Sequence, residues 1–375
     1  LVVGPTGAGK SVLLALMSLQ FRRYPASQIF AFDFGGSIRA ACLAMGGAWF
    51  DLGGTLSEDT DNLVALQPLA HIDEDAERAW AAEWIAAILR REGVAVTPQV
   101  KEHLWSALNS RASAPIEQRT ITGLAVLLQS NDLKLALKPY CVGGPWGRLL
   151  DAEAEHLGDN PVVAFETEGL LDTGAAPAAL SYLFHRIASR LDGRPSLVII
   201  DEGWLALDDE GFSAQLIQWL ITMRKLNASV VFATQSLSQI EGSAHAIKIV
   251  ESCPTRILLP NDRALEPKIA GIYRSFGLND RQIEIVSRSA PKRDYYVQSQ
   301  RGNRLFELGL GPIGLALCAA SDRTDQPLIA RLFAEHGHDG FLAAWLEARG
   351  LTWAAELIPD LTNRIPDPEE DDHER

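Results

Sequence analysis

Cysteine is scarce and scattered in this sequence. The four residues Cys42, Cys141, Cys253 and Cys318 include no CxxC pair. Neither a zinc site nor a disulfide framework is indicated. Small buried thiols in a reducing cytoplasm are the expectation. A long apolar run is also lacking. The longest stretch, Leu308 to Ala320, is interrupted by Gly309, Gly311, Pro312 and Gly314, whereas a bilayer span takes about 20 residues. No signal peptide opens the chain, and a soluble protein is expected. Positive charge is the third shortage. Lys and Arg number 34 against 48 Asp and Glu, a formal net charge of −14. That balance gives no general attraction to nucleic acid or anionic lipid, so any DNA contact would need a local basic surface. Internal repeats are missing too, which excludes a repeat array.

What is present describes a globular α/β protein. Hydrophobic residues make up 47% and charged residues 22% of 375 positions, which argues against wholesale disorder. The chain begins on Leu1 and already reads as a strand over Leu1–Val3. That start is expected of a domain cut from a longer protein, whose preceding portion would include any membrane anchor. A helix from Lys10 and a second β-rich run, Ile29–Phe32, complete a βαβ unit and imply a parallel sheet. Helical spacing then dominates Glu74–Arg91, Gln99–Arg111 and Ile121–Gln129, with Pro98, Pro115 and Pro139 between them. The tryptophans of the first of these, Trp80 and Trp84, read as core. Residues 60–155 are therefore taken as a helical insertion. Apolar strands resume at Val162–Phe165, Leu197–Ile200, Val230–Ala233 and Ile257–Leu259, with helices over Ala178–Leu191 and Phe212–Leu226. Tyr295–Gln298 and Arg304–Leu308 predict a hairpin whose turn holds Gly302 and Asn303. The expected organisation is a core over 1–59 and 156–325 and C-terminal helices over 326–365. Two of those helices lie near Gln326–Glu335 and Phe341–Arg349. An acidic disordered tail over 366–375 ends the chain.

Three stretches carry chemistry. Gly4-Pro5-Thr6-Gly7-Ala8-Gly9-Lys10-Ser11 matches G-x-x-x-x-G-K-[ST] in full. Its glycines let backbone N–H groups wrap phosphates, and the helix that follows points its positive end at them. Lys10 is placed to neutralise the β- and γ-phosphates of ATP, and Ser11 to offer its hydroxyl to Mg2+. A chance glycine turn is the bland alternative, which the flanking strand and helix disfavour. In Ser196-Leu197-Val198-Ile199-Ile200-Asp201-Glu202, a buried strand ends in two acids, where ligands sit in open α/β sheets. Asp201 is assigned to the metal's water shell and Glu202 to polarising the attacking water as general base. Phe232-Ala233-Thr234-Gln235-Ser236 repeats the pattern, with Gln235 as a γ-phosphate sensor or a plain strand end. Arg224, at the end of the preceding helix, is either a favourable cation at a helix C-terminus or a charge delivered to a neighbour's nucleotide. Arg256 is its rival. Asp33, with Gly35 and Gly36 behind it, is a candidate for ordering the site.

These stretches, together with AFDFGGSIRAACLAMGG, RKLNASVVFATQS and IVESCPTRILLPN, resemble the C-terminal ATPase domain of the TrbE/CagE family of conjugal-transfer ATPases. The resemblance spans residues 1–261. Gly203-Trp204 departs from the family's usual Ala-Trp after the acid pair. The resemblance implies a RecA-like P-loop fold of the ASCE class, with a mainly parallel sheet flanked by helices. It also implies a homo-hexamer at the cytoplasmic face of the inner membrane, working with other type IV secretion subunits in pilus assembly and substrate transfer. An FtsK/HerA-like DNA translocase or conjugative coupling protein shares the core, and the charge leans against it. An ATP-gated scaffold with little turnover is the third reading, against which Glu202 stands.

Overall fold

The computed structural model describes residues 1–54, 64–171, 173–202, 210–235, 237–238, 248, 252–322 and 324–358. Among them, nine strands form one sheet: β1 (Val2–Val3), β2 (Gln28–Asp33), β3 (Ala48–Asp51), β4 (Val162–Glu166), β5 (Ser196–Asp201), β6 (Ala228–Thr234), β7 (Arg256–Leu258), β8 (Asp294–Ser299) and β9 (Gly302–Glu307). The spatial order is β3-β4-β2-β5-β6-β1-β7-β8-β9. The first seven run parallel, and β8 and β9 add an antiparallel edge. The mainly parallel α/β architecture is thus the observed one.

Alternation along each strand explains why helices cover both faces. Phe30 and Phe32 of β2 face one core with Val163, Phe165, Val198 and Ile200. Ile29 and Ala31 face the other with Val162, Ala164, Leu197 and Ile199. The first core also takes in residues from helices Asp75–Arg91 and Pro98–Ala112, such as Trp84, Ile88 and Leu104, so this helical region and the sheet share one interior. The second is closed by the P-loop helix Lys10–Phe21 and by Trp345 and Phe341 near the C-terminal end. Each such large apolar side chain stabilises the fold by about 1.5–3 kcal/mol on burial.

Several expectations shift by a few residues. The hairpin turn lies earlier than expected: Ser299 pairs with Gly302 and Asn303 with Gln298, so Gln300 and Arg301 form the turn. Ser299 stabilises it, its Oγ accepting from Arg301 N at 3.2 Å and donating to the Gly302 carbonyl at 3.1 Å. Gly302 supplies the positive φ of 115° that ends it. The helix expected to reach Gln129 stops at Leu127, because Leu128 turns extended and is buried. Helix Glu210–Met223 tightens into one 3₁₀ turn, Arg224–Leu226, ended by Asn227 in the left-handed region. The paired C-terminal helices are present as Asp325–Ala348 broken at Gly337, where φ is 62°. The 366–375 tail lies outside the described residues.

Candidate nucleotide-binding site

The parallel strands all end on one edge, and their order brings distant residues together there. From β3 inward the strand ends are Asp51, Glu166, Asp33 and Asp201, followed by Thr234 and then Gly4 beyond β1. The loop Gly4–Gly9 rises from β1 at this edge. Gly4 N donates to the Thr234 carbonyl at 3.1 Å, and Ala8 N closes the loop onto the Pro5 carbonyl at 3.1 Å. Gly7 and Gly9 take φ values of 80° and 106°, the left-handed turns that aim successive N–H groups to one side. Helix Lys10–Phe21 starts directly behind, with Ser11 in its first turn.

Lys10 meets the acid pair from the far end of the sequence. Its Nζ lies 2.8 Å from Asp201 Oδ1 and also pairs with Glu202 Oε1. All three side chains are buried, so neither acid is a solvent-facing strand end. Burial lifts the Asp201 carboxyl above its ordinary range, and Lys10 opposes the shift. Burial raises Glu202 as well, with Lys10 again opposing and the Asp201 charge adding. A raised carboxyl is a better proton acceptor near neutral pH. Glu202 also holds a left-handed backbone, φ 53°, fixed by its N–H to the Ala233 carbonyl at 3.1 Å. Such a conformation costs a non-glycine residue about 1–2 kcal/mol and turns the chain sharply as β5 ends. Among the described residues, Asp201 Oδ1 is buried with no hydrogen-bond donor of good geometry beyond the Lys10 ion pair. With the Ser11 hydroxyl, it is the kind of hard oxygen that Mg2+ takes. Among the described residues no cluster of three or more His, Cys, Asp or Glu side chains fits a metal unaided. An ion here would therefore share its shell with phosphate and water.

Gln235 follows β6 and joins the P-loop directly: Thr6 Oγ1 donates to Gln235 Oε1 at 2.8 Å. Asp33 orders the next loop. Its carboxylate accepts from Ser37 Oγ at 2.6 Å and from Ile38 N at 2.7 Å. Sequence reasoning missed the partners beside it. Glu166 accepts from the backbone N–H groups of Gly35, Gly36 and Glu168. Arg39 lies buried with its guanidinium 3.9 Å from the Trp49 ring centre. Burial lowers Arg39 to about 10, against the pull of Asp51 and Glu166. An acid directly after an apolar run was the available signal, since Glu166 closes Val162–Phe165 as Asp201 closes Leu197–Ile200.

Arg224 and Arg256 are placed elsewhere. The Arg224–Leu226 turn precedes β6 and Arg256 begins β7, so both backbones lie at the N-terminal ends of strands whose other ends carry the site. Arg256 Nη1 donates to the Phe276 carbonyl at 2.5 Å. Gly203 and Trp204 lie outside the described residues.

Comparisons with known proteins bear on the family and the fold. The TraG P-loop domain family matches residues 113–299, which include Asp201, Glu202 and Gln235. The chain is 44% identical to a probable TrbE conjugal transfer protein of Sinorhizobium fredii, over 96% of this chain and 54% of that protein. It is 26% identical to the type IV secretion system protein virB4 of Bartonella quintana, over 90% of this chain and 43% of that protein. It thus spans about half the length of these relatives. Among solved structures, VirB4 of Thermoanaerobacter pseudethanolicus superposes with a TM-score of 0.62 at 16% identity, covering 84% of this chain and 90% of that one.

Proposed function

Since the chain belongs to the TrbE/VirB4 family of conjugal-transfer and type IV secretion proteins and carries its nucleotide-binding P-loop domain, we propose that it hydrolyses ATP with Mg2+ to energise that transfer. The observation that carries the reading is the meeting of Lys10 with Asp201 and Glu202 beneath the Gly4–Gly9 loop. Hydrolysis needs positive charge on the γ-phosphoryl oxygens and a water aimed in line. The loop's N–H groups and the end of helix Lys10–Phe21 would hold the phosphates. Lys10 would take the β- and γ-oxygens while the two acids keep its ammonium in place. Ser11 and Asp201 would hold the Mg2+, which supplies further charge neutralisation when bound. Glu202, raised by burial, would accept the proton of the attacking water. Gln235, tied to Thr6, would report the γ-phosphate. No helix among the described residues is long and apolar enough to cross a membrane. In this reading the protein works as a homo-hexamer at the cytoplasmic face of the inner membrane, with other secretion subunits.

Phosphate release and fluorescent-nucleotide binding on three variants test the reading. Lys10→Ala is expected to lose more than tenfold in turnover, at least about 1.4 kcal/mol of barrier. Glu202→Gln should bind ATP with Mg2+ yet scarcely hydrolyse it, and Asp201→Asn should weaken Mg2+-dependent binding. Identical behaviour of the two acid variants in the binding assay would refute the division of roles.

A further inference from the structure

The outer side of the P-loop is gripped by a segment that the nucleotide chemistry above does not use. Between helix Asp280–Arg288 and β8, residues Ala290–Asp294 form a tight turn. It is closed by Arg293 N and Asp294 N on the Ala290 carbonyl, at 3.3 and 3.0 Å, and by Ala290 N on Asp294 Oδ2 at 2.8 Å. Within it Lys292 is exposed and held at φ 64°, a strained conformation for a residue with a side chain. That strain coincides with the point of contact: Lys292 N donates to the Ala8 carbonyl at 2.9 Å. Three residues on, the fully buried Tyr295 donates its hydroxyl to the Gly9 carbonyl at 3.1 Å and stacks on Phe306. The fit is close enough to demand glycine. A Cβ on Gly9 would lie 2.6 Å from the Tyr295 hydroxyl and 3.1 Å from Lys292 Cα.

We infer that this turn and Tyr295 form a clasp that holds the P-loop peptides in their phosphate-ready orientation. Tyr295 and the Lys292 backbone are then positioning groups for nucleotide. In a planar trans peptide the C=O and N–H point in opposite directions. With the Ala8 carbonyl held outward on Lys292, the Gly9 N–H is turned the other way. With the Gly9 carbonyl held on Tyr295 and on Leu13 N at 3.2 Å, so is the Lys10 N–H. Released, a peptide that turns on a flexible Gly9 torsion rotates readily and presents a carbonyl where an anion must sit. The clasp thus ties the β8–β9 hairpin, whose outer strand β9 is mostly exposed, to the phosphate site.

The inference rests on the nucleotide-binding reading, and titration of the intact chain with fluorescent ADP, beside ATP turnover, separates the two. Tyr295→Phe keeps the ring and removes the hydroxyl. It is expected to weaken ADP binding five- to tenfold and to raise KM for ATP by a like factor. kcat should stay within twofold, because ground state and transition state lose the same support. Asp294→Ala opens the turn at the surface without touching the core and should weaken ADP three- to fivefold. Lys292→Gly keeps the backbone donor and relieves the strained φ, so it should bind at least as tightly as the parent. ADP affinity unchanged in both Tyr295→Phe and Asp294→Ala, while Lys10→Ala has lost binding, overturns the clasp and leaves the P-loop reading standing. Weaker binding by Lys292→Gly overturns it in favour of a side-chain contact. Undiminished binding by Lys10→Ala overturns both.

Discussion

Asp33 and Glu166 show what a buried site edge does to single residues. Neither is exposed, and burial is the main cause of the upward shift of both carboxyls, to about 6 for Asp33 and about 8 for Glu166. The Asp33 charge pushes Glu166 further, and Asp201 pushes Asp33. A carboxyl whose folded value exceeds its unfolded one binds an extra proton in the folded state. Its contribution to stability is therefore complete at low pH and is lost as pH rises through the folded value. The window runs from ordinary carboxyl values near 4 up to about 8. Denaturant unfolding is expected to show stability falling across that window, by up to about 1.4 kcal/mol per pH unit for each proton involved. Glu166→Gln, which stays neutral, should flatten the upper part of the decline. An unchanged slope in that variant would remove Glu166 as the cause. These residues also mark a limit of sequence reading. Asp201 and Glu202 were legible because each apolar strand of a parallel sheet ends where ligands collect. The row Asp51, Glu166, Asp33 and Asp201 was not, because β3-β4-β2-β5 is not the order of the chain.

At the scale of elements, legibility followed the strength of the local pattern. Strands buried on both faces leave continuous apolar runs, and β2, β4, β5 and β6 were read that way. Strand β3 is four residues, Ala-Trp-Phe-Asp, with only alternate positions buried, too short for a run to stand out. Helix Asp280–Arg288 went unread although its start is written in the sequence: Asn279 and Gln282 form a reciprocal capping box. The P-loop is held from three directions, by β6, by the clasp and by Leu259. The last contact gives a sharp expectation. A Cβ on Gly4 would lie 2.5 Å from Leu259 Cβ, so Gly4→Ala should cost about 1–3 kcal/mol of stability through overpacking. Leu259→Ala in the same chain should fail to restore it, because alanine retains the Cβ that clashes. Recovery of the parent melting temperature in the double variant would show that the loop backbone yields instead.

For the whole molecule, the question is where the remaining positive charge comes from. Phosphoryl transfer spreads charge over the γ-oxygens, and one added arginine is worth about 10³–10⁵ in rate. Among the described residues, Lys10 is the cation the site contains, and Arg39 is buried against Trp49 and Gln326. Arg224 stands before β6, whose seven residues at roughly 3.3 Å each place its backbone about 20 Å from the edge that holds Asp201 and Gln235. That is farther than an arginine side chain extends from its backbone. In the proposed homo-hexamer, a closed ring would repeat one heterologous contact at every site, and such a contact would set one subunit's surface against the next subunit's nucleotide. The expectation is that Arg224 acts there. Specific ATPase activity should then rise with protein concentration. Arg224→Ala should lose turnover and keep ATP affinity. A mixture of Arg224→Ala with Lys10→Ala should recover activity, because one of its mixed interfaces joins an intact P-loop to an intact arginine. Activity independent of concentration, or no recovery in mixtures that co-sediment as one assembly, would place the missing charge elsewhere. Arg256 would need to release the Phe276 carbonyl before it served instead.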